Sequence, residues 1–146
     1  EIAEDVVSLL AGQSELKSIV IKNEIPEDLE AIADRNMLTT IIRNLLSNAI
    51  KYTNLKGEIK ISCHIAGQYC QISIEDNGVG MSVEKMNQLF QIENTISSPG
   101  TNKEKGTGLG LLLCKEFTEK HGGEIGVVSH EGHGSKFYFT IPVKEN

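Results

Sequence analysis

The chain is short of basic residues, of cysteine and of long apolar runs. Lys and Arg together number 14 against 20 acidic residues, and the formal net charge is -6. A surface of that sign repels phosphate backbones, which argues against a nucleic-acid partner. No apolar stretch approaches the length of a membrane span, and no basic-then-apolar leader opens the chain. Three cysteines, Cys63, Cys70 and Cys114, cannot make a complete disulfide framework. None lies in a CxxC pair or beside a histidine at metal spacing. All three fall on apolar faces of predicted elements, so they read as reduced core residues of a cytosolic domain. His64, His121, His130 and His133 likewise lack the neighbours that a metal site or a phosphoacceptor needs. His64 alternates outward, His121 ends a helix where a cation suits the dipole, and the other two flank a turn.

What is present suffices for one domain. The chain has 146 residues, 39% of them hydrophobic, enough to bury a core. It opens at Glu1, inside a helical pattern, and reads as a segment of a longer protein.

The stretch DRNMLTTIIRNLLSNAIKYT, from Asp34 to Thr53, organises the rest. Met37, Leu38, Ile41, Ile42, Leu45, Leu46, Ala49 and Ile50 form a broad helical stripe. Asp34 is placed to cap its first turn. Asn44 and Asn48 lie one turn apart and point within about 40° of each other, on the border of that stripe. Lys51 falls on the same edge. A half-buried amide must be satisfied. Two readings stand: amides bonded to neighbouring backbone, or oxygen ligands for a hard cation with Lys51 beside them for an anion.

Before this helix, residues 1–16 read as an amphipathic leading helix that Gly12 and Ser14 loosen. Residues 17–23 (KSIVIKN) read as a strand, 24–30 as a loop around Pro26, and 31–33 as a short added strand. After it, Gly57 opens a hairpin. Ile59, Ile61, Cys63 and Ile65 alternate with polar residues, and Cys70, Ile72 and Ile74 answer them across the turn at 66–68. Two residues further, the next inward position is Asp76. A carboxylate facing a core is costly unless something uses it. It can bond to the N–H groups of the DNGVG turn, or it can accept a hydrogen bond from a ligand amine. Gly78 and Gly80 in that turn allow positive φ and close backbone approach.

Ser82 caps a short helix to about Phe90, with Glu84 and Lys85 exposed. Residues 94–105 (NTISSPGTNKEK) have no periodicity and read as a loop. Gly106-Thr107-Gly108-Leu109-Gly110 then runs straight into a helix that Gly122-Gly123 ends. Unpaired N–H groups and the positive dipole end at such a start suit phosphate. The pattern is neither a P-loop, which needs Gly-Lys-Ser/Thr, nor a dinucleotide fingerprint. A last hairpin places Ile125 and Val127 opposite Phe137, Phe139 and Ile141, and Pro142 closes it.

NLLSNAIKYT on a helix, DNGVGM after a strand, KGTGLGL opening a helix and GHGSKFYFTIP at the end stand in one order. Together they resemble the ATP-binding catalytic domain of sensor histidine kinases, in the GHKL superfamily, over essentially the whole chain. The resemblance implies an α+β fold, the two-layer α/β sandwich of the Bergerat type, with a mixed sheet of about five strands under a layer of helices. It implies one domain over residues 1–146, with 94–106 as the ATP lid and the phosphoacceptor domain absent.

By the same resemblance Asn48 matches the Mg²⁺-holding asparagine, and Asn44 shares its box. Lys51 matches a phosphate-contacting lysine and Tyr52 a residue packed near the nucleotide. Asp76 matches the acceptor for the adenine amine, and Gly78 and Gly80 let the chain pass close to the base. Gly106, Thr107, Gly108, Leu109 and Gly110 form the phosphate loop, Lys103 and Lys105 reach the γ-phosphate from the lid, and Ser135 lies near the adenine. The implied cofactors are ATP and Mg²⁺. The implied partners are a histidine-bearing dimerisation domain of the same parent and a downstream response-regulator receiver domain. The fragment itself would be monomeric. It would be cytoplasmic, in a parent that can be anchored in the inner membrane.

Two departures matter. The box around Phe90 lacks its usual second aromatic, since Gln91-Ile92 follow. The place where related ATPases carry a water-activating glutamate holds Asn44, and an amide is no general base at neutral pH. A phosphotransferase is therefore expected. A GHKL ATPase, and a nucleotide-binding module without catalysis, remain as alternatives. The spacing GTNKEKGTGLGL is similar to kinases of the hybrid type.

Overall fold

The structure is a computed structural model that describes residues 1–26, 29–88 and 110–143. Its elements in chain order are α1 (Ile2–Leu9), α2 (Ala11–Leu16), β1 (Val20–Asn23), α3 (Arg35–Tyr52), β2 (Glu58–Ala66), β3 (Tyr69–Asp76), α4 (Val83–Gln88), α5 (Gly110–Lys120), β4 (Ile125–His130) and β5 (Gly134–Pro142). The strands form one five-stranded sheet in the order β1-β2-β3-β5-β4. β1 runs parallel to β2 and the other pairs are antiparallel, so the sheet is mixed as expected. Helices cover one face.

α3 forms where its stripe and cap predict. The Asp34 carboxylate accepts from the Met37 N–H at 2.9 Å, which satisfies one of the orphan donors of the first turn. Ile41, Leu45 and Leu46 are completely buried against Ile59, Ile61, Ile74 and Phe139 of the sheet. Each such side chain contributes about 1.5–3 kcal/mol on burial. The opposite sheet face is polar. Lys22, Lys60, Glu75 and Lys136 stand side by side across four strands, with opposite charges adjoining at Glu75.

α5 runs antiparallel to α3. Gly110 lies beside Asn44, the Cys114 thiol donates to the Ile41 carbonyl at 3.7 Å, and the Asp34 N–H donates to His121 Nε2 at 2.9 Å. His121 Nδ1 lies 2.7 Å from the Phe117 carbonyl oxygen. The ring bridges two helix ends.

Three boundaries differ from the sequence expectation. The leading helix breaks at Leu10 (φ -97, ψ 6) instead of loosening at Gly12, because the break turns Leu10 into the core. Residues 17–19 are not yet strand, because Ser18 takes φ 54 and β1 starts at Val20. Residues 31–33 supply only one bridge, Ala31 to Val143. Among the described residues no helix is long and apolar enough to cross a membrane.

Candidate functional site

The end of β3 carries the first component. Asp76 continues the inward face of the strand, between Ile59 of β2 and Ser135 of β5, and is 5% exposed. Its Oδ1 accepts from the Gly78 N–H at 2.8 Å. Burial raises its pKa above the ordinary 3.8. The N–H groups of Gly78 and Ser135 pull it back, and the neighbouring Glu75 charge adds to the rise. The Asx bond expected for this turn is therefore made. A carboxylate offers about four acceptor positions, so two N–H donors leave it able to accept more.

The turn after it is held against α3. A methyl group on Gly78 would lie 2.1 Å from the Tyr52 carbonyl oxygen and 2.9 Å from Asp76 Oδ1. No side chain fits there. The Val79 N–H donates to that same Tyr52 carbonyl at 3.2 Å. Gly80 takes φ 70, and a methyl there would meet the His130 carbonyl oxygen at 1.9 Å.

The far side of the turn is fixed by serines. Ser129 Oγ accepts from the Met81 N–H at 2.8 Å, donates to the Gly134 carbonyl at 3.0 Å, and lies 2.7 Å from Ser135 Oγ. Ser135 is thus a buried support behind Asp76, reaching it through its backbone N–H. Continuing the alternation of β4 by two from Val127 identifies Ser129 as inward, a signal present in the sequence.

The second component is the C-terminal half of α3. Asn44 and Asn48 are both half-buried. A methyl on Gly110 would sit 3.1 Å from Asn44 Oδ1. The Asn44 side chain also bonds the Cys114 thiol, whose pKa burial pushes up to about 12. Asn44 therefore leans on the first turn of α5, which brings the positive end of that helix to the middle of α3. Lys51 is 9% exposed, with Nζ 5.0 Å from the Tyr52 ring centroid. Lys85 of α4 brings a second ammonium to the same ring, 4.8 Å from the centroid. It is half-buried rather than exposed as expected, and its spacing in the sequence carries no hint of this contact.

Asp76, Gly78, Gly80 and Ser135 thus lie at the β3–α4 turn, which packs on the end of α3 that carries Lys51 and Tyr52, while Gly110 meets Asn44 further back along α3, with Asn48 one turn after Asn44. Lys103, Lys105, Gly106, Thr107, Gly108 and Leu109 lie outside the described residues, as do Phe90 and the 94–106 segment. Chemically, one end offers a buried acceptor beside a side-chain-free wall. The other offers two ammonium groups, amides and a helix N-terminus. Among the described residues no three His, Cys, Asp or Glu side chains cluster as a metal site. A hard cation here would rest on an amide and on oxygens of its ligand.

The family profile described as histidine kinase-, DNA gyrase B-, and HSP90-like ATPase matches residues 33–145. The adaptive-response sensory kinase SasA of Microcystis aeruginosa is 35% identical over 144 residues, which cover 97% of this chain and 37% of that protein. The chain therefore spans little more than a third of such curated relatives. The catalytic domain of histidine kinase ThkA, in a nucleotide-free form, superposes with a TM-score of 0.82 at 30% identity, covering 97% of this chain and 90% of that one. ThkA in complex with the response regulator TrrA gives 0.79 at 25% identity, with 99% and 40% covered. Full-length ShkA in complex with AMPPNP gives 0.82 at 26% identity, with 99% and 30% covered. The chain belongs to the histidine kinase-, DNA gyrase B- and HSP90-like ATPase family, among its histidine kinase catalytic domains.

Proposed function

We propose that this chain binds ATP with Mg²⁺ and presents the γ-phosphoryl group to a histidine on a dimerisation domain of its parent protein. The observation that carries this reading is Asp76. It is a buried carboxylate whose main-chain donors leave acceptor capacity, set beside a wall where Gly78 admits no side chain. That is the environment a flat purine with an exocyclic amine requires.

Asp76 accepts from the adenine amine, and Gly78 and Gly80 keep the chain close to the base. Ser135 holds Asp76 from behind. Lys51 faces the phosphates, with Tyr52 packed beside it. Gly110 ends the phosphate loop formed by Gly106, Thr107, Gly108 and Leu109, with Lys105 at its edge. Asn48, with Asn44 beside it, is the amide suited to Mg²⁺, which keeps most of its coordination sphere for water and phosphate. When bound, Mg²⁺ supplies neutralisation of phosphate charge, and the transfer itself needs positioning more than covalent chemistry from the protein. Asn44 is an amide engaged with α5, so water activation is weak and hydrolysis slow.

The nucleophile comes from outside residues 1–146, which form one catalytic domain with its lid at 94–106. In this reading the chain acts on the cytoplasmic side of a two-component pathway, with a receiver domain downstream. ThkA, crystallised with a response regulator, supports that partner class. The test is transfer. The chain with Mg-ATP should label a separately supplied dimerisation domain at its histidine. If a domain that another kinase does label stays unlabelled, the proposal fails. Steady phosphate release by the chain alone would favour an ATPase instead.

A further inference from the structure

α3 ends without a glycine. Its C-cap, Thr53, is extended at φ -89 and ψ 138, so the left-handed turn that commonly receives the last carbonyls is absent. Those carbonyls still need partners. The Ala49 carbonyl accepts from Thr53 Oγ1 at 2.5 Å, and the Tyr52 carbonyl accepts from the Val79 N–H at 3.2 Å. The Ile50, Lys51 and Thr53 carbonyls all accept from one group, the Lys17 ammonium, at 3.0, 3.0 and 3.3 Å. Lys17 is 4% exposed. A cation at this helix end also meets the negative pole of the dipole. The whole last turn is thus held by two segments distant in sequence: the α2–β1 junction and the loop after Asp76.

This turn is where the two halves of the site meet. It carries Lys51 and Tyr52, and the Tyr52 carbonyl is the surface against which Gly78 packs. The Lys17 backbone is itself pinned, since its carbonyl accepts from the Lys56 N–H at 2.8 Å. With Lys17 on one side of the turn and the Val79 N–H on the other, the position of Lys51 is tied to the loop that follows Asp76.

We propose that Lys17 is a positioning residue for nucleotide binding. Its ammonium, delivered by the segment that leads into the domain, fixes the last turn of α3 and through it the spacing between Lys51 and Asp76. This rests on the ATP-binding reading above. It makes the α2–β1 junction part of the architecture that positions the nucleotide site.

The experiment is calorimetry with Mg-ATP at low temperature, alongside thermal denaturation. Lys17→Met keeps the hydrocarbon stem and removes the donor. It should weaken ATP at least tenfold while circular dichroism remains that of the wild type. Lys17→Arg, which restores charge and donors with a longer fork, should recover to within about fivefold yet stay at least twofold weaker. Ile141→Val, a core change at the far end of β5, lowers stability and should leave affinity unchanged. If folded Lys17→Met binds within twofold of wild type, or the Ile141 control loses as much, the proposal is overturned. If Lys17→Met does not fold, Lys17→Arg decides by the same twofold limit. A wild-type chain that gives no binding heat would instead overturn the ATP reading itself.

Discussion

Gly78→Ala should be among the most damaging single methyl additions to this domain. The added carbon would stand 2.1 Å from the Tyr52 carbonyl oxygen and 2.9 Å from both Asp76 Oδ1 and the Thr53 Cα. Ordinary carbon–oxygen contacts sit at about 3.3–3.6 Å, so the turn and the end of α3 must separate by about 1.2 Å. Both are backbone, and neither can swing aside as a side chain would. Separation on that scale breaks the Val79 N–H bond to Tyr52 and disturbs the Gly78 N–H bond to the carboxylate. The first is worth about 1 kcal/mol net and the second, to a charged acceptor, about 1.5–3 kcal/mol. With residual overpacking, a loss of about 3–5 kcal/mol follows, a large part of a typical domain's total stability. At about 2–4 °C per kcal/mol for a domain of this size, the thermal midpoint should fall by about 6–20 °C. Mg-ATP affinity, measured by calorimetry well below that midpoint, should fall at least tenfold, because the carboxylate loses its reference donor. A variant that melts within 2 °C of wild type and binds normally would refute both the close approach and its role.

The raised pKa of Asp76 has a definite sign. The native state holds the proton more tightly than the unfolded chain, so stability linked to this group is full below the ordinary carboxyl value of 3.8 and declines as pH rises through the raised native value. Asp76→Asn should remove that decline, visible as a flatter plot of thermal midpoint against pH from 3 to 8, while nucleotide binding disappears. Parallel plots for the two proteins would sink the desolvation argument, and normal binding would sink the adenine assignment. Asn48→Ala should leave ATP affinity measured in EDTA within about twofold and abolish the gain that Mg²⁺ confers. An undiminished Mg²⁺ effect would move the metal to another residue.

Much of this site was legible because it obeys simple periods. The 3.6-residue repeat places Asn44, Asn48 and Lys51 on one border of α3, and the two-residue repeat carries Asp76 inward. What escaped was contact between segments with no shared period. Lys17 reads as the first residue of a strand, because KSIVIKN has strand composition. Only the φ of Ser18 and the unsatisfied carbonyls of a helix more than thirty residues away explain its burial. Lys85 lies beside Glu84 just after a capped start, so the sequence assigns it to solvent. Its contact with Tyr52 depends on how α4 lies across the end of α3. Ser129 was within reach of the alternation argument, but a serine two places beyond a valine carries no chemical alarm.

These omissions share a cause. A site that grips a long ligand at both ends has to fix a distance between groups far apart in sequence, and hydrophobic packing alone fixes it loosely. Directed polar bonds do so more sharply, because an N–H bond weakens steeply with misalignment. In this chain they converge on the last turn of α3. The Tyr52 carbonyl takes the loop that follows Asp76, while the Ile50, Lys51 and Thr53 carbonyls take Lys17. α3 is therefore the common reference for the Asp76 carboxylate and the Lys51 ammonium, the two groups proposed to meet the base and the phosphates. Its missing terminal glycine is part of that arrangement. A glycine cap would close the carbonyls on themselves and leave them nothing with which to hold either neighbour.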